Sequence, residues 1–486
     1  MGEGLRCQQS CREEDRAICQ FDNIPLNREG EATLAPRSRA VRHMKPPRIA
    51  IVGNMNNAGF CILRYFRDLG VDAHLLLYSN DGQDTLSHFN PECDTWEIGK
   101  WTPFIHQTEI PNTVFSGLTP PLSWLVSLRS YFKSGLGSQV DYVASASKGI
   151  IKKTYTGYDK YIGNGIAPAV FSKAGLVLDI FYPYSSGVEF LDTGEFLVEI
   201  NKQNPVKRAL VRAARARQKK GVCDSHYVLN AEMGITQEAL IKIGSSPINL
   251  AIPAVYNRGK LPLQTTNPAI TRSLERVKKS DFTILHHSRL MWKNPGDYSD
   301  DAWRLENKNS NWLLEAFAKL TRQRKDLNPL LILVEYGPDI KTAKKLCDQL
   351  EIGEHVLWLP KMDRRHLMWL LAHVSIGVGE FYNVPKVIWG GTGWETLASG
   401  RPLLQGFQFE DGEFEQLYGY PPPPMLPVRF QDDILKHLLD MIDNPEKQEQ
   451  IGQGAKEWFN RYNGIGLAEQ WLDLLTGPCS KRGVNF

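Results

Sequence analysis

The first sustained hydrophobic run begins at Arg48, where RIAIVGN is a short apolar segment closed by glycine and asparagine. Asn56-Asn57-Ala58-Gly59 then opens a helical pattern that lasts to Leu69, and Asp72 to Leu77 returns to an apolar run. Strand, glycine-bearing turn, helix and strand predict the start of a parallel doubly wound sheet, whose strands are covered on both faces and so lack alternation. The loop Asn54 to Gly59 then lies at a strand's carboxyl end, where such sheets hold ligands. Farther on, Thr119-Pro120-Pro121 precedes LSWLVSLRSYF, which reads as an exposed amphipathic helix around Trp124. Strand pattern resumes at Asp159 to Ile162, followed by Gly163-Asn164-Gly165, and at Leu176-Val177-Leu178 before Tyr182-Pro183-Tyr184. Val206 to Lys220 carries seven Lys or Arg in fifteen residues. It predicts a basic amphipathic helix with Arg208, Arg212, Arg215 and Lys219 on one face and Val206, Leu210 and Ala213 on another.

A polar stretch from Arg258 to Ser280 separates this half from a second α/β series. There the pattern predicts strands at Thr283 to His287, Leu331 to Glu335, Val356 to Leu359, Val374 to Val378 and Pro402 to Gln405. Helices are predicted at Trp312 to Leu320, Ile340 to Leu350, Arg365 to Ala372 and Trp458 to Leu475. The whole reads as a disordered polar leader over 1–45, a Rossmann-like domain over 46–257 and a linker over 258–280. A second Rossmann-like domain over 281–456, a helix over 457–478 returning to the first domain, and a tail over 479–486 complete it. Two nucleotide-type folds in tandem place a cleft between them.

Composition changes this picture little. The chain of 486 residues is too long for one compact core, and 42% hydrophobic with 10% aromatic content is globular. A formal net charge of +3 gives no global argument for nucleic acid. No apolar run approaches the roughly 20 residues of a membrane span, and MGEGLRCQQS lacks a signal peptide's apolar centre, so the expected location is the cytoplasm. The eight cysteines form no CxxC pair and meet no histidine cluster, so free thiols are expected and no metal site is assigned. Cys7, Cys11 and Cys19 crowd the polar leader, where a solvated tail competes with metal binding or acylation. The basic helix is open to two readings, a peripheral contact with anionic lipid or an ordinary solvated face.

The chemistry concentrates between Ile388 and Gln405, IWGGTGWETLASGRPLLQ. Glycines let backbone N–H groups approach a phosphate, and the helix end behind them carries about half a positive charge. Gly390, Gly391 and Thr392 therefore make an anion seat. One turn in, the Glu395 carboxylate suits a ribose diol. Arg289, after His286 and His287 at a strand end, and Lys308, before the next helix, are two cations able to neutralise a diphosphate.

In order along the chain stand HHSRL, Lys308-Asn309, EYGPD at 335–339, VLWLP at 356–360 and GGTGWETLASGRPLL from Gly390. This succession resembles the family 4 glycosyltransferases of the GT-B fold, over most of 281–440 and more loosely over 48–257. The resemblance implies α/β architecture with two Rossmann-like doubly wound domains facing across a cleft, and sugar transfer from a nucleotide-sugar donor to a hydroxyl acceptor. It assigns Arg289 and Lys308 to the donor phosphates, Glu395 to the ribose and Gly390, Gly391 and Thr392 to the distal phosphate. Tyr336 and Gly337 fall at the nucleoside pocket, and Asn57 and Gly59 under the diphosphate. The family's other glutamate falls at Val387 by strict spacing. Glu380 takes its place only if Phe381 to Trp389 is an insertion. Tyr184 to Gly187 lies at an acceptor-side turn that lacks the family's acidic residue. Implied as well are a retaining, metal-independent reaction and no cofactor. A non-catalytic sugar-nucleotide or glycan-binding protein stays open as an alternative, as does a nucleotide-sugar epimerase.

Overall fold

The computed structural model describes residues 47–78, 89–110, 147–183, 205–230, 235–294, 306–384 and 389–477, together with residues 296, 299, 303 and 304. The leader with its three cysteines, the segment around Trp124, the turn Tyr184 to Gly187, Val387 and the tail lie outside them.

The first lobe is a seven-stranded sheet built from β1 (Arg48–Val52), β2 (Asp72–Leu77), β3 (Ile105–Gln107), β4 (Lys160–Gly163), β5 (Ile180–Phe181), β6 (Tyr227–Asn230) and β7 (Ile248–Asn249). All pairings are parallel, in the order β3-β2-β1-β4-β5-β6-β7. The second lobe has β8 (Phe282–His286), β9 (Pro329–Val334), β10 (Val356–Leu359), β11 (Ile376–Val378), β12 (Leu403–Gly406) and β13 (Leu426–Val428). These are also parallel, in the order β10-β9-β8-β11-β12-β13. Each order reverses at its first strand, so β1/β4 and β8/β11 flank switch points where a doubly wound sheet opens a crevice at its carboxyl edge. Near-continuous burial of β1 and β9 follows from helices on both faces.

The structure departs from the sequence pattern at several places. The apolar run at Leu176 to Leu178 is a connector, because the helix Ala167–Ala174 ends on left-handed Gly175 (φ 70°) and pairing starts only at Ile180. Leu178 is nevertheless buried, so its apolarity reports packing without a strand. Within the polar crossover, Pro268–Lys278 is a helix. Asn267 caps it by accepting from Ala269 N at 2.9 Å, and Ile270, Leu274 and Val277 face the second sheet. Finally, the single helix expected from Trp458 to Leu475 is two, Pro445–Tyr462 and Ile465–Thr476. They break at Gly464, where a Cβ would lie 3.0 Å from Asn460 Cα. The last helix packs on the first lobe, with Trp471 Nε1 donating to Ala251 O at 3.0 Å and Leu467 and Trp471 in the core beside Ile49 and Ile51.

The basic helix Pro205–Asp224 is anchored by Gly221, whose Cβ would strike Pro168 O at 2.0 Å, and by buried Gln218. Gln218 accepts from Ala169 N and donates to Gly165 O at 2.8 Å. Ala213, placed on the apolar face by periodicity, is exposed with Arg212, Lys219 and Lys220. Among the described residues no helix is long and apolar enough to cross a membrane.

Candidate active site

Each lobe presents a helix end at its switch point. In the first lobe, the loop after β1 holds Asn56 (φ 51°) and Asn57 (φ 59°) in the left-handed region, which asparagine tolerates better than most residues. Asn54 fixes this turn by accepting from Phe60 N at 2.8 Å, capping the helix Ala58–Asp68, and by donating to Asn57 Oδ1 at 2.7 Å. A Cβ on Gly59 would lie 2.3 Å from Gly53 O, so only glycine lets the helix end come this close to the strand.

In the second lobe, β8 runs into His287, Ser288 and Arg289. His286 and His287 are buried, and burial followed by its neighbour's charge brings the His286 imidazole down to about 3, which keeps it neutral. His287 Nε2 donates to Glu395 Oε2 at 2.8 Å. Ser288 Oγ donates to Glu380 Oε1 at 2.5 Å. Lys308 precedes the helix Ser310–Gln323. Its ammonium is buried, pairs with Glu380 Oε1 and donates to Tyr382 OH at 2.8 Å, while that hydroxyl donates to Glu380 Oε2 at 2.6 Å. Burial pushes the Glu380 carboxyl up. The Lys308 charge and the hydrogen bonds from Lys308, Ser288 and Tyr382 outweigh it and hold the group below its ordinary value. Gln405 locks the Glu380 backbone, accepting from its N at 3.2 Å and donating to its O at 2.9 Å.

The glycine helix Gly390–Ala398 starts beside this cluster on Gly390 (φ 57°), whose Cβ would lie 3.5 Å from Glu380 Oε2 and 3.8 Å from Thr392 Oγ1. The first amides of such a helix have no intrahelical acceptor. Thr392 Oγ1 and His287 Nδ1 are buried without a hydrogen-bond partner among the described residues. One turn on, Glu395 Oε1 accepts from Arg364 Nε at 2.7 Å. Burial raises this carboxyl too, and the hydrogen bond from His287 with the Arg364 charge brings it below its ordinary value.

Arg364 spans to the first lobe, where its Nη1 donates to Asp94 Oδ1 at 2.8 Å and Asn56 O at 3.3 Å, and it also donates to Ala254 O at 3.4 Å in the connector after β7. Asp94 in turn pairs through Oδ2 with buried Arg64.

Of the residues singled out from sequence, Lys308, Glu395, Gly390, Gly391 and Thr392 lie together. Asn57 and Gly59 belong to the first-lobe loop, whose Asn56 carbonyl meets Arg364. Arg289 is exposed beside them, near enough for its charge to act on Tyr382, and forms no ion pair among the described residues. Tyr336 and Gly337 (φ 113°) form a turn packed on the backbone of Leu290, where a Cβ on Gly337 would come within 2.5 Å. Lys361 stacks 4.6 Å over the Tyr336 ring. Ser288, Tyr382, Arg364, Asp94 and Arg64 escaped the sequence reading. Ser288 and Tyr382 had one available signal, their position just past the ends of apolar strands. Among the described residues no group of three or more His, Cys, Asp and Glu side chains is placed to hold a metal ion.

No protein-family model matches the chain, and no curated protein matches it in sequence. Among solved structures, it aligns with Anabaena HepE, determined in complex with UDP and glucose. The alignment covers 89% of this chain and 100% of that one at 15% identity and a TM-score of 0.50. A glycosyltransferase from Rickettsia africae aligns at 14% identity over 90% and 100% of the two chains, with a TM-score of 0.48. Sucrose-phosphate synthase from Thermosynechococcus elongatus aligns at 13% identity over 88% and 98%, with a TM-score of 0.46. The likeness to HepE is one of fold, and the two parallel sheets with interleaved helices have the GT-B arrangement.

Proposed function

We propose that this protein is a glycosyltransferase that moves a sugar from a nucleotide-sugar donor to a hydroxyl acceptor. The observation that carries the reading is the convergence of Lys308, Glu380 and Glu395 on the glycine-opened end of Gly390–Ala398, at the carboxyl edge of the second sheet. HepE, which shares the fold, was solved with UDP and glucose.

In this reading the diphosphate lies across the amides of Gly390, Gly391 and Thr392, with Thr392 Oγ1 as a further donor and Arg289 and Lys308 as cations. Asn57 and Gly59 line the first-lobe side. Glu395 accepts from the ribose hydroxyls, the turn Tyr336-Gly337 borders the nucleoside, and Glu380 meets the donor sugar. The reaction breaks the bond between the anomeric carbon and the terminal phosphate oxygen while the acceptor oxygen bonds to that carbon. The acceptor's proton passes to the departing phosphate. Fixed amides and cations stabilise the charge that builds on the leaving group, and the cleft holds the acceptor in place. We include retention of configuration and independence from metal in the proposal, since front-face attack needs no protein nucleophile and these cations supply the charge. A peripheral contact with anionic lipid through Pro205–Asp224 is supported by exposed Arg212, Lys219 and Lys220.

One observation favours a second reading, a sugar-nucleotide-binding protein without turnover: three donors already occupy the Glu380 carboxylate. Incubation with a panel of nucleotide sugars, with release of the nucleoside diphosphate as readout, tests both. Release from one donor, abolished in Glu380→Gln, supports the transferase. Binding without release supports the second reading, and absence of binding across the panel refutes both.

A further inference from the structure

We infer that Arg364 is a positioning residue through which contact between the lobes sets the Glu395 carboxylate for a ribose diol, an inference that rests on the nucleotide-sugar reading for its ligand. Arg364 opens the helix Arg364–Leu371 after β10. One edge of its guanidinium, Nε, binds Glu395 within the second lobe. Another nitrogen, Nη1, binds two first-lobe acceptors, Asn56 O after β1 and Asp94 Oδ1, and Ala254 O in the connector after β7. Asp94 cannot swing away with Arg364, because Arg64 holds its other oxygen in a buried pair. The same seam continues beside them, where the rings of Trp96 and His366 meet edge to face at 5.6 Å.

This arrangement has a consequence for Glu395. With the lobes in contact, Arg364 contributes one hydrogen bond to Oε1 and His287 contributes one to Oε2. A carboxylate has about four lone-pair sites, so each oxygen keeps one for a hydroxyl donor. When the lobes part, Nη1 loses Asn56 O and Asp94, and the planar fork turns onto Glu395 in the two-bond geometry that guanidinium and carboxylate favour. The ribose sites are then occupied from within the protein. Ribose binding and lobe contact therefore favour one another, by the reciprocity that links any two coupled equilibria.

The test is titration calorimetry with UDP and 2′,3′-dideoxy-UDP on the wild type, Arg364→Lys, Asp94→Asn and the double variant, with small-angle scattering of each free protein. Lysine keeps the charge at 364 but has no fork to bridge two carboxylates. Each single variant is expected to weaken UDP about tenfold, the loss of one charge-assisted contact, and to leave the dideoxy nucleotide within about twofold. The double variant should lose no more than either single one, and Arg364→Lys should enlarge the radius of gyration. Equal losses for the two nucleotides, additive losses in the double variant, or an unchanged radius would each overturn the inference. Asp94→Asn also takes charge from Arg64, so melting curves accompany it, and Arg364→Lys decides alone if that variant does not fold. If the wild type binds neither nucleotide, the choice of a uridine nucleotide fails by itself, the panel of nucleotide sugars decides the nucleotide reading, and the scattering of Arg364→Lys decides the lobe contact.

Discussion

Replacing Lys308 with methionine removes the charge beside Glu380 and keeps an unbranched apolar stem of similar reach. Both partners are almost wholly shielded from water, with side chains 5% and 9% exposed. Breaking such a buried pair from one side costs about 3–5 kcal/mol, chiefly because the remaining charge has lost its counter-charge. The remaining charge here has an escape. In the wild type the Glu380 carboxyl is held below its ordinary value, so its contribution to stability is present above the unfolded-state pKa of about 4.3 and is lost as pH falls through the folded one. In Lys308→Met, burial prevails over the two hydrogen bonds from Ser288 and Tyr382 and the folded pKa rises above the unfolded one. The folded state then binds the extra proton, and stability declines as pH increases between those two values, by at most about 1.4 kcal/mol per pH unit. The pH slope of stability thus reverses sign. Urea denaturation at pH 5 and pH 7, with m compared across variants, reads this directly. The variant should lose up to about 2.7 kcal/mol more at pH 7 than at pH 5, and Lys308→Met/Glu380→Gln should recover most of the difference at pH 7. A loss equal at both pH values, or a double variant no more stable than the single one at pH 7, would refute the assignment of Glu380 as a buried anion held by Lys308.

Arg289→Ala removes an exposed cation without an ion-pair partner among the described residues. It should weaken UDP about tenfold in calorimetry while the melting temperature stays within about 1 °C, and unchanged affinity would remove Arg289 from the phosphate site. Glu395→Gln should weaken UDP and leave inorganic pyrophosphate unaffected, whereas parallel losses would contradict a ribose role. In Gly379→Ala the new Cβ would fall 1.7 Å from Gln405 Oε1 and part Gln405 from the Glu380 backbone. A cost of about 2 kcal/mol or more, seen as a melting point several degrees lower, is expected, and an unshifted melt would show that the segment relaxes freely.

The second sheet was the more legible because its strands are continuous apolar runs such as Val356 to Leu359, found where the pattern placed it. In the first lobe β5 and β7 are two residues long, too short to carry a pattern, and the nearby run at Leu176 to Leu178 is core without being strand. The glycine-opened helix and its glutamate were legible because conformational demand restricts which residues stand there. The pairing of Glu380 with Lys308 was not, since fixed spacing points to Val387. What brings Glu380 to the cluster is Gln405, a strand residue whose side chain bonds to backbone 25 positions away. Arg364 was equally hidden. Within Lys361 to Arg365 it looks like one more solvated charge, and its partners Asp94 and Asn56 lie about 270 and 308 positions distant.

The charges at this site also restrict how it attracts an anion. Arg64, Asp94, Arg364 and Glu395 alternate in sign from the first lobe to the second, and Lys308 with Glu380 adds one more opposed pair. Three cations thus face three carboxylates, and the buried network offers a diphosphate little net charge. Among the described residues of this cluster, that leaves Arg289 for attraction at a distance and the ends of Ala58–Asp68 and Gly390–Ala398, each worth about half a positive charge, at short range. Arg289 is exposed and therefore screened by salt, while the helix amides act only in contact. A diphosphate that reaches Lys308 has to share its ammonium with Glu380, which weakens what holds that carboxyl down. In the proposed reaction, diphosphate binding at Lys308 would for that reason be coupled to proton uptake at Glu380, the residue set closest to the donor sugar.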